Sequence, residues 1–304
     1  IDLDKIPLDD AKTFALLASG ETTGIFQLES PGMRRYIKEL RPTSVFDLAA
    51  MVALYRPGPM ANIPTYIRRK HGQEAVTYLH PLLEPFLKRT YGVFVYQEDI
   101  MAAAAALGRF SGPKADTLGY AVRKKKEDVL AGLKQEFITS AAERGVARET
   151  IDKVFEAFEP FANYGFNKAH ATCYGLIAYQ TAYLKANYPW HFAAALLTIE
   201  AQNTDKLSTY LAEARDRGIP VLPPDINQSQ LRFSVEPGRG VRFGLTAIKG
   251  LGEGAIQSIL EARATLGGRI PSLHALCEIL DMRLANRRVF EALVKAGACD
   301  SLLE

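Results

Sequence analysis

Residues 164–170 read Tyr-Gly-Phe-Asn-Lys-Ala-His, and a long helical pattern follows them. An aromatic face, an amide, an ammonium and an imidazole therefore lie together at a predicted helix start. These groups suit a nucleoside triphosphate, because a ring can stack on the base, a cation can bind phosphate and short polar groups can reach the sugar. A loop followed by a helix with a solvated face explains the composition equally well.

The helix after this stretch has two different faces at the helical period. One stripe is small or polar, and we expect it to face a ligand. Its members are Asn167, His170, Ala171, Tyr174, Ala178, Thr181 and Lys185. The opposite side is apolar, and we expect it to pack against a core. Its members are Cys173, Leu176, Ile177 and Leu184.

The composition limits the class of protein. The 304 residues are 48% hydrophobic with a net charge of +3, which allows a sizeable core and two domains but dictates no partner. Three widely separated cysteines fit a reducing compartment and offer no metal-ligand spacing. The apolar runs are too short for a bilayer and no signal segment is visible, so a cytoplasmic protein is expected. Because the chain begins at Ile1, we interpret it as a piece of a longer polypeptide.

Helical patterns dominate the first part of the chain and change character near residue 219. The patterns predict a helical domain over 1–218, with one β-like run at 91–96. They predict a smaller domain over 219–304, in which 232–235 and 241–245 form a β-hairpin around a Pro-Gly-Arg-Gly turn. The predicted fold class is therefore mainly α.

A second motif, Ile-Lys-Gly-Leu-Gly-Glu-Gly-Ala at 248–255, precedes an amphipathic helix and resembles the helix-hairpin-helix motif. Its glycines allow a tight turn and leave N–H groups uncovered at a helix N-terminus, where they can bind DNA phosphate without reading sequence. A degenerate second copy is predicted at 284–297, with Arg287 and Arg288. The alternative is a glycine-rich connection between helices that does not bind DNA.

The basic run at 123–126 suits the phosphates of a triphosphate or of template DNA, although such a run is more often a solvated helix entry. Groups for catalysis are not apparent in the sequence. It contains no Walker-type loop and no histidine pair at metal-ligand spacing, and we interpret Asp2 and Asp4 as loop polarity. The sequence thus predicts binding of nucleotide and DNA, with no catalytic or metal-binding residue in this chain.

Taken in order, the motifs of the chain resemble those of the alpha subunit family of bacterial DNA polymerase III. The resemblance covers essentially all 304 residues. It rests on residues 24–30, 56–59, 91–92, 96–98, 124–126, 164–170, 179–181, 222–227 and 248–254.

This resemblance implies a helical fingers domain followed by a helix-hairpin-helix domain of a template-directed DNA polymerase. It places the catalytic aspartates and their Mg²⁺ in a palm upstream of Ile1. The implied ligands are the incoming dNTP and primer–template DNA. The implied partners are the palm and thumb of the same protein, the sliding clamp and other replisome subunits, with no membrane.

The resemblance also implies roles for individual residues, with His170 as a monitor of the 2′ position of the sugar. The expected nucleotide-binding residues are Tyr164, Asn167, Lys168, His170, Tyr174, Arg123, Lys124, Lys125 and Lys126. The expected DNA-binding residues are Lys249, Gly250, Gly252, Gly254, Arg287 and Arg288.

The chain departs from the family at Gly119 and Tyr120, where the family usually carries two arginines that reach the triphosphate. Either Arg123 supplies the charge from one turn away, or the triphosphate binds more weakly. Two other functions stay open on the sequence alone. A non-catalytic helix-hairpin-helix module would bind duplex DNA without a dNTP effect, and a structural scaffold would have no salt-dependent affinity for DNA.

Overall fold

The computed structural model shows a mainly helical chain, which confirms the predicted fold class. It describes residues 1–124, 126–158, 161, 166–280, 283 and 285–302, apart from the side chains of Arg123 and Glu127. Contacts divide the chain into two compact units, Ile1–Tyr183 and Leu184–Glu304. The predicted domain boundary between 218 and 219 stays a prediction. Within the described ranges, no helix is both long and apolar enough to cross a membrane.

Helices account for most of the described chain, and three short strands lie in the second unit. The helices are α1 (Ala11–Ser19), α2 (Pro31–Leu40), α3 (Val45–Leu54), α4 (Ile63–Lys70), α5 (Glu84–Leu87), α6 (Gln97–Gly108), α7 (Gly112–Lys124), α8 (Glu127–Ala142), α9 (Arg148–Glu156), α10 (Lys168–Asn187), α11 (Pro189–Ile199), α12 (Thr204–Asp216), α13 (Glu253–Thr265), α14 (Leu273–Ile279) and α15 (Arg287–Lys295). The strands are β1 (Val221–Leu222), β2 (Ser234–Glu236) and β3 (Gly240–Arg242).

Local caps decide where the first helices begin and end. The Asp10 carboxylate accepts a hydrogen bond from Thr13 N–H at 2.8 Å at the start of α1, and Ser30 Oγ accepts one from Met33 N–H at the start of α2. Gly20 ends α1 in the left-handed region at φ 81°. The sequence predicts both ends of α1, because these residue types satisfy unpaired backbone groups at helix termini.

Beyond its first turn, α10 packs into the core with the stripe that was predicted to face a ligand, whereas Asn167 and His170 of that stripe are exposed. Ala171 and Ala178 of the supposed ligand stripe are fully buried, whereas Cys173 and Ile177 of the supposed core face are exposed. The reason is a close approach to α3: a Cβ at Gly175 would lie 2.8 Å from the backbone nitrogen of Ala49. Small residues permit this approach, so they face α3 and form part of the core.

Residues 91–96 form no strand, so the β-like prediction for this run is wrong. Val93 and Val95 are buried as an apolar strand would be. However, the N–H groups of Val95 and Tyr96 both donate to the Asp99 carboxylate at 2.9 Å, which starts α6 with a capping box. These two donors serve a helix cap and are not available to a neighbouring strand.

Asp99 makes the stability of this region dependent on pH. Burial raises the pKa of its carboxyl from 3.8 to about 6, although the N–H groups of Val95 and Tyr96 and the Lys168 ammonium act in the opposite direction. Between about pH 4 and pH 6 the folded chain therefore binds more protons than the unfolded chain. The stabilisation is complete below 3.8, the pKa of Asp99 in the unfolded chain. It is lost as the pH rises through about 6, the pKa of Asp99 in the folded chain.

We expect Asp99→Asn to flatten this dependence and to raise the free energy of unfolding at pH 7 by up to about 3 kcal/mol. Asparagine keeps an oxygen that can accept from both N–H groups but carries no buried charge. Urea denaturation between pH 4 and pH 8 measures the effect, with Asp116→Asn on the exposed side of α7 as the control. An unchanged slope between pH 4 and pH 6 would contradict the assignment.

A second core of the first unit lies among α6, α7, α8 and α9. Its rings pack edge to face in successive pairs, with ring centres between 5.1 and 6.0 Å apart. They belong to Phe110, Phe137, Phe155 and Phe158. Ala115, Leu118 and Val122 of α7 belong to the same core as Ile100 and Ala104 of α6.

In the second unit, a small sheet has the strand order β1-β3-β2. β2 and β3 pair antiparallel, with Val235 opposite Val241, which confirms the predicted hairpin. β1 adds a parallel edge strand, with Val221 opposite Val241. A separate core forms among α13, α14 and α15 and includes Ile256, Ile259 and Leu293. It supports the glycine-rich hairpin.

Candidate nucleotide and DNA sites

The start of α10 is built by hydrogen bonds to the first turn of α6. Asn167 precedes the helix, and its Oδ1 accepts from His170 N–H at 3.0 Å, as a helix cap does. Its Nδ2 donates to one oxygen of Glu98 at 2.7 Å, and Lys168 N–H donates to the other at 2.8 Å. Gln97 N–H donates to the Phe166 carbonyl at 3.0 Å. Two neighbouring residues of α6 thus determine where α10 begins.

A row of aromatic rings runs along this end of α10. The exposed His170 ring lies with its centre 4.2 Å from that of Tyr174 and 5.3 Å from that of Phe166. Phe26 extends the row, 5.1 Å from Tyr174, and the Arg56 guanidinium lies 4.6 Å from the centre of the Phe166 ring. The His170 imidazole is exposed and is held by contacts with the Phe166 and Tyr174 rings, so it offers a flat surface on which a base or sugar can pack.

Exposed lysine side chains lie in the same unit as the aromatic row. Lys168 is exposed, and its Nζ lies 5.5 Å from the centre of the Tyr96 ring, where the ring face stabilises the ammonium. Lys124 and Lys126 are exposed at the end of α7 and just before α8. The chain therefore presents positive charge on the same unit as the aromatic row.

The structure brings four of the predicted nucleotide residues into one place: Asn167, Lys168, His170 and Tyr174. Asn167 differs from the expectation in one respect, since its amide is already engaged by Glu98 and by the start of its own helix. The predicted residues Tyr164 and Lys125, and the side chain of Arg123, lie outside what the structure describes.

Gly119 lies beside the same first turn of α6. A Cβ on Gly119 would be 3.3 Å from Gln97 Nε2, so any larger side chain would press on the residue that holds the Phe166 carbonyl. The neighbouring Tyr120 is exposed. The position at which the sequence departs from the pattern that it resembles is thus linked to the start of α10 through one residue, Gln97.

Sequence reasoning assigned no role to Glu98, Arg56 or Phe26 in this site. Glu98 and Asn167 are 69 positions apart, so no periodicity could have joined them. The motif at 96–98 contributes to the family resemblance, but it does not indicate that Glu98 contacts Asn167 and Lys168.

In the second unit, the glycine-rich hairpin has the geometry that its sequence predicts. Gly250 has φ +94°, a backbone conformation that residues with a side chain rarely adopt. A Cβ at this position would lie 3.8 Å from Ala292 of α15. Gly252 is the N-cap of α13 and brings no side chain to cover the first N–H groups of that helix. Gly252 and Gly254 are both exposed. These amides can therefore reach an external anion.

The two predicted hairpin copies share one open groove of about 690 Å³. Lys249 and Gly250 line it from the hairpin, and Arg288 lines it from α15. Lys295, which the sequence analysis did not select, also lines it. Arg287 is exposed and pairs with Glu291 at 2.8 Å, so part of its charge is compensated. Glu291 also lines the α15 wall, so the charged lining residues are one base on the hairpin side and two bases with one paired acid on the α15 side.

The described residues do not suit Mg²⁺. They contain no group of three or more His, Cys, Asp or Glu side chains that could hold a metal ion. Asp2 caps a short 3-10 turn, Leu3–Lys5, and pairs with the Lys5 ammonium at 3.1 Å. No step of a metal-dependent reaction is therefore assigned to these residues.

Comparison with known proteins agrees with both parts of this geometry. Residues 1–145 match the family model of the bacterial DNA polymerase III alpha subunit finger domain, and residues 218–304 match that of a helix-hairpin-helix motif. The chain is 48% identical over 306 aligned residues to DNA polymerase III subunit alpha of Thermus aquaticus, covering 99% of this chain and 25% of that protein. It is 49% identical over 304 residues to the Halalkalibacterium halodurans protein of the same name, covering 100% of this chain and 27% of that protein.

The chain therefore spans about a quarter of the length of the curated relatives that it matches. The matches extend over essentially the whole chain and follow the order of the motifs read from the sequence. This chain belongs to the bacterial DNA polymerase III alpha subunit family, of which it contains the finger-domain and helix-hairpin-helix parts.

Proposed function

We propose that the protein containing this chain is a DNA-directed DNA polymerase that acts in chromosomal replication. Within it, this chain binds the incoming dNTP and the primer–template DNA. The observation that carries the proposal is the exposed His170 ring, which lies in an aromatic row in the same helical turn as the exposed Lys168. Catalysis by such a site would consist of positioning and charge, because it offers neither a nucleophile nor a metal site.

The remaining parts of the reaction are assigned by the same proposal. Mg²⁺ would be bound by palm aspartates that are not part of this chain, and it would supply stabilisation of the phosphoryl oxygens. The palm, the thumb, the sliding clamp and other replisome subunits are the proposed partners, and the proposed location is the cytoplasm. Tyr164 and the 123–126 group stay in the proposed nucleotide-binding set, facing base and phosphates respectively.

We expect His170→Ala in the whole protein to raise the KM for the templated dNTP about tenfold, since stacking on an aromatic ring contributes about 1–3 kcal/mol per base. Selection against ribonucleotides should weaken in the same variant if the ring approaches the 2′ position. Steady-state primer extension with one templated dNTP measures both, and Tyr164→Ala serves as the companion variant.

The control for this experiment is His191→Ala, which removes an exposed imidazole from α11. Unchanged KM and unchanged sugar selection for both His170→Ala and Tyr164→Ala would overturn the nucleotide assignment. The groove lined by Lys249 and Arg288 would then support the second function, a non-catalytic module that binds duplex DNA without any dNTP effect.

A further inference from the structure

Glu98 is a carboxylate that connects two distant parts of the nucleotide site. It lies in the first turn of α6, and both of its oxygens are used at the start of α10. One accepts from Asn167 Nδ2 at 2.7 Å and the other from Lys168 N–H at 2.8 Å. A bidentate arrangement of this kind constrains both the position and the direction of the helix start.

The contact extends to the backbone of His170 through the amide of Asn167. That amide is held on both sides, because its Nδ2 donates to Glu98 while its Oδ1 accepts from His170 N–H. If Glu98 did not accept from Nδ2, the amide could rotate and the cap on His170 N–H would weaken. The backbone of His170 therefore depends on a residue that has no direct contact with its ring.

A carboxylate suits this position better than a neutral amide. Both partners of Glu98 are donors, so each oxygen must accept, and a glutamine can offer only one oxygen. The Lys168 side chain and the positive end of α10 also favour a negative charge here. The single change Glu98→Gln would place an NH₂ group against either Asn167 Nδ2 or Lys168 N–H, which leaves one donor facing another.

We propose that Glu98 is a positioning residue for the incoming nucleotide, acting through Asn167 on the orientation of His170. This inference rests on the proposed dNTP role of the same site. In this role Glu98 acts without contacting the nucleotide, because it holds the backbone of His170 in the orientation from which the nucleotide is bound.

The hydrogen-bond pattern allows a swap that tests the proposal. In Glu98→Gln/Asn167→Asp, the introduced glutamine can accept from Lys168 N–H and donate to the carboxylate at 167, whose second oxygen can still cap His170 N–H. Aspartate is as good a helix cap as asparagine, so the double variant restores the hydrogen-bond pattern and moves the negative charge from position 98 to position 167. The single variant Glu98→Gln instead sets two donors against each other, and Asn167→Asp sets two carboxylates against each other.

The experiment measures kcat and KM for the templated dNTP in the whole protein, together with thermal unfolding. We expect Glu98→Gln to raise KM about tenfold, the equivalent of about 1.4 kcal/mol, with kcat changed less than about threefold. Asn167→Asp should raise KM at least as much, and the double variant should return it to within about threefold of the original. The control is Glu149→Gln, which changes an exposed glutamate in the first turn of α9.

The outcomes separate this inference from the function on which it rests. A normal KM in a folded Glu98→Gln protein, alongside a raised KM for His170→Ala, would overturn the role of Glu98 and leave the nucleotide site in place. A raised KM for both single variants that the swap does not restore, with all three proteins folded, would also overturn it. No effect of His170→Ala alone would overturn the role of Glu98, because Glu98 is proposed to act through that residue. No effect of either His170→Ala or Tyr164→Ala would overturn the proposed function itself.

Discussion

Replacing Lys70 by methionine is expected to lower the free energy of unfolding by about 3–5 kcal/mol, because the change leaves a buried carboxylate without its counter-charge. Lys70 ends α4, and its Nζ lies 2.9 Å from Asp47 Oδ2 in α3. Both side chains are almost completely buried, at 6% and 4% exposure. The ammonium also donates to Thr43 Oγ1, so the variant breaks a network rather than a single surface pair.

The double variant Lys70→Met/Asp47→Asn is the matched control for this prediction. Asparagine can still accept from Thr43 N–H, which now donates to Asp47 at 2.9 Å, but it carries no charge. We therefore expect it to recover most of the lost stability. Hydrogen exchange of the α3 and α4 amides and urea denaturation measure the changes. A loss below about 1 kcal/mol for Lys70→Met, typical of exposed pairs, would show that water reaches this ion pair.

Removing the three basic side chains of the groove is expected to weaken binding of duplex DNA about a hundredfold near 0.15 M salt. The variant is Lys249→Ala/Arg288→Ala/Lys295→Ala. Each phosphate contact contributes about 0.9 to the slope of log K against log salt, so three contacts should lower that slope by about 3. The loss should be similar for different DNA sequences, because in the proposed complex these groups and the hairpin amides would contact the backbone and not base edges.

Fluorescence anisotropy with a labelled duplex over a salt series measures both the affinity and the slope. Lys206→Ala is the control, because it removes one exposed charge from α12 that does not line the groove. The single variant Lys295→Ala tests the residue that only the structure indicates, and its slope should fall by about 1. An unchanged slope in the triple variant would show that DNA does not occupy this groove.

Much of the fold follows from local sequence. Asp10 and Gly20 delimit α1 because a short carboxylate and a residue free to adopt positive φ satisfy helix termini wherever they occur. The hairpin of β2 and β3 follows from its turn, and the glycines at 250 and 252 predict the uncovered start of α13 for the same local reason. Such features depend on a few neighbouring residues, so they can be read without knowing the rest of the fold.

Other features depend on contacts between distant segments. The helical period predicts that the small or polar stripe of α10 faces a ligand, yet Ala171 and Ala178 of that stripe are buried because Gly175 lets the helix lie directly against Ala49. Residues 91–96 have the composition of a strand, yet Asp99 takes the N–H groups of Val95 and Tyr96 for a helix cap. In both cases a partner outside the local pattern decided the outcome.

The sequence by itself thus determined the mainly helical class, the caps and turns, the hairpin glycines and the motifs that place the chain in its family. Only the tertiary structure decided which face of α10 is buried, that Glu98 holds Asn167, and that Lys295 joins Lys249 and Arg288 in one groove. The physical reason is the range of the interactions. Backbone propensity and capping act over about one helical turn, whereas close packing and hydrogen bonds to buried partners join residues that no sequence spacing relates.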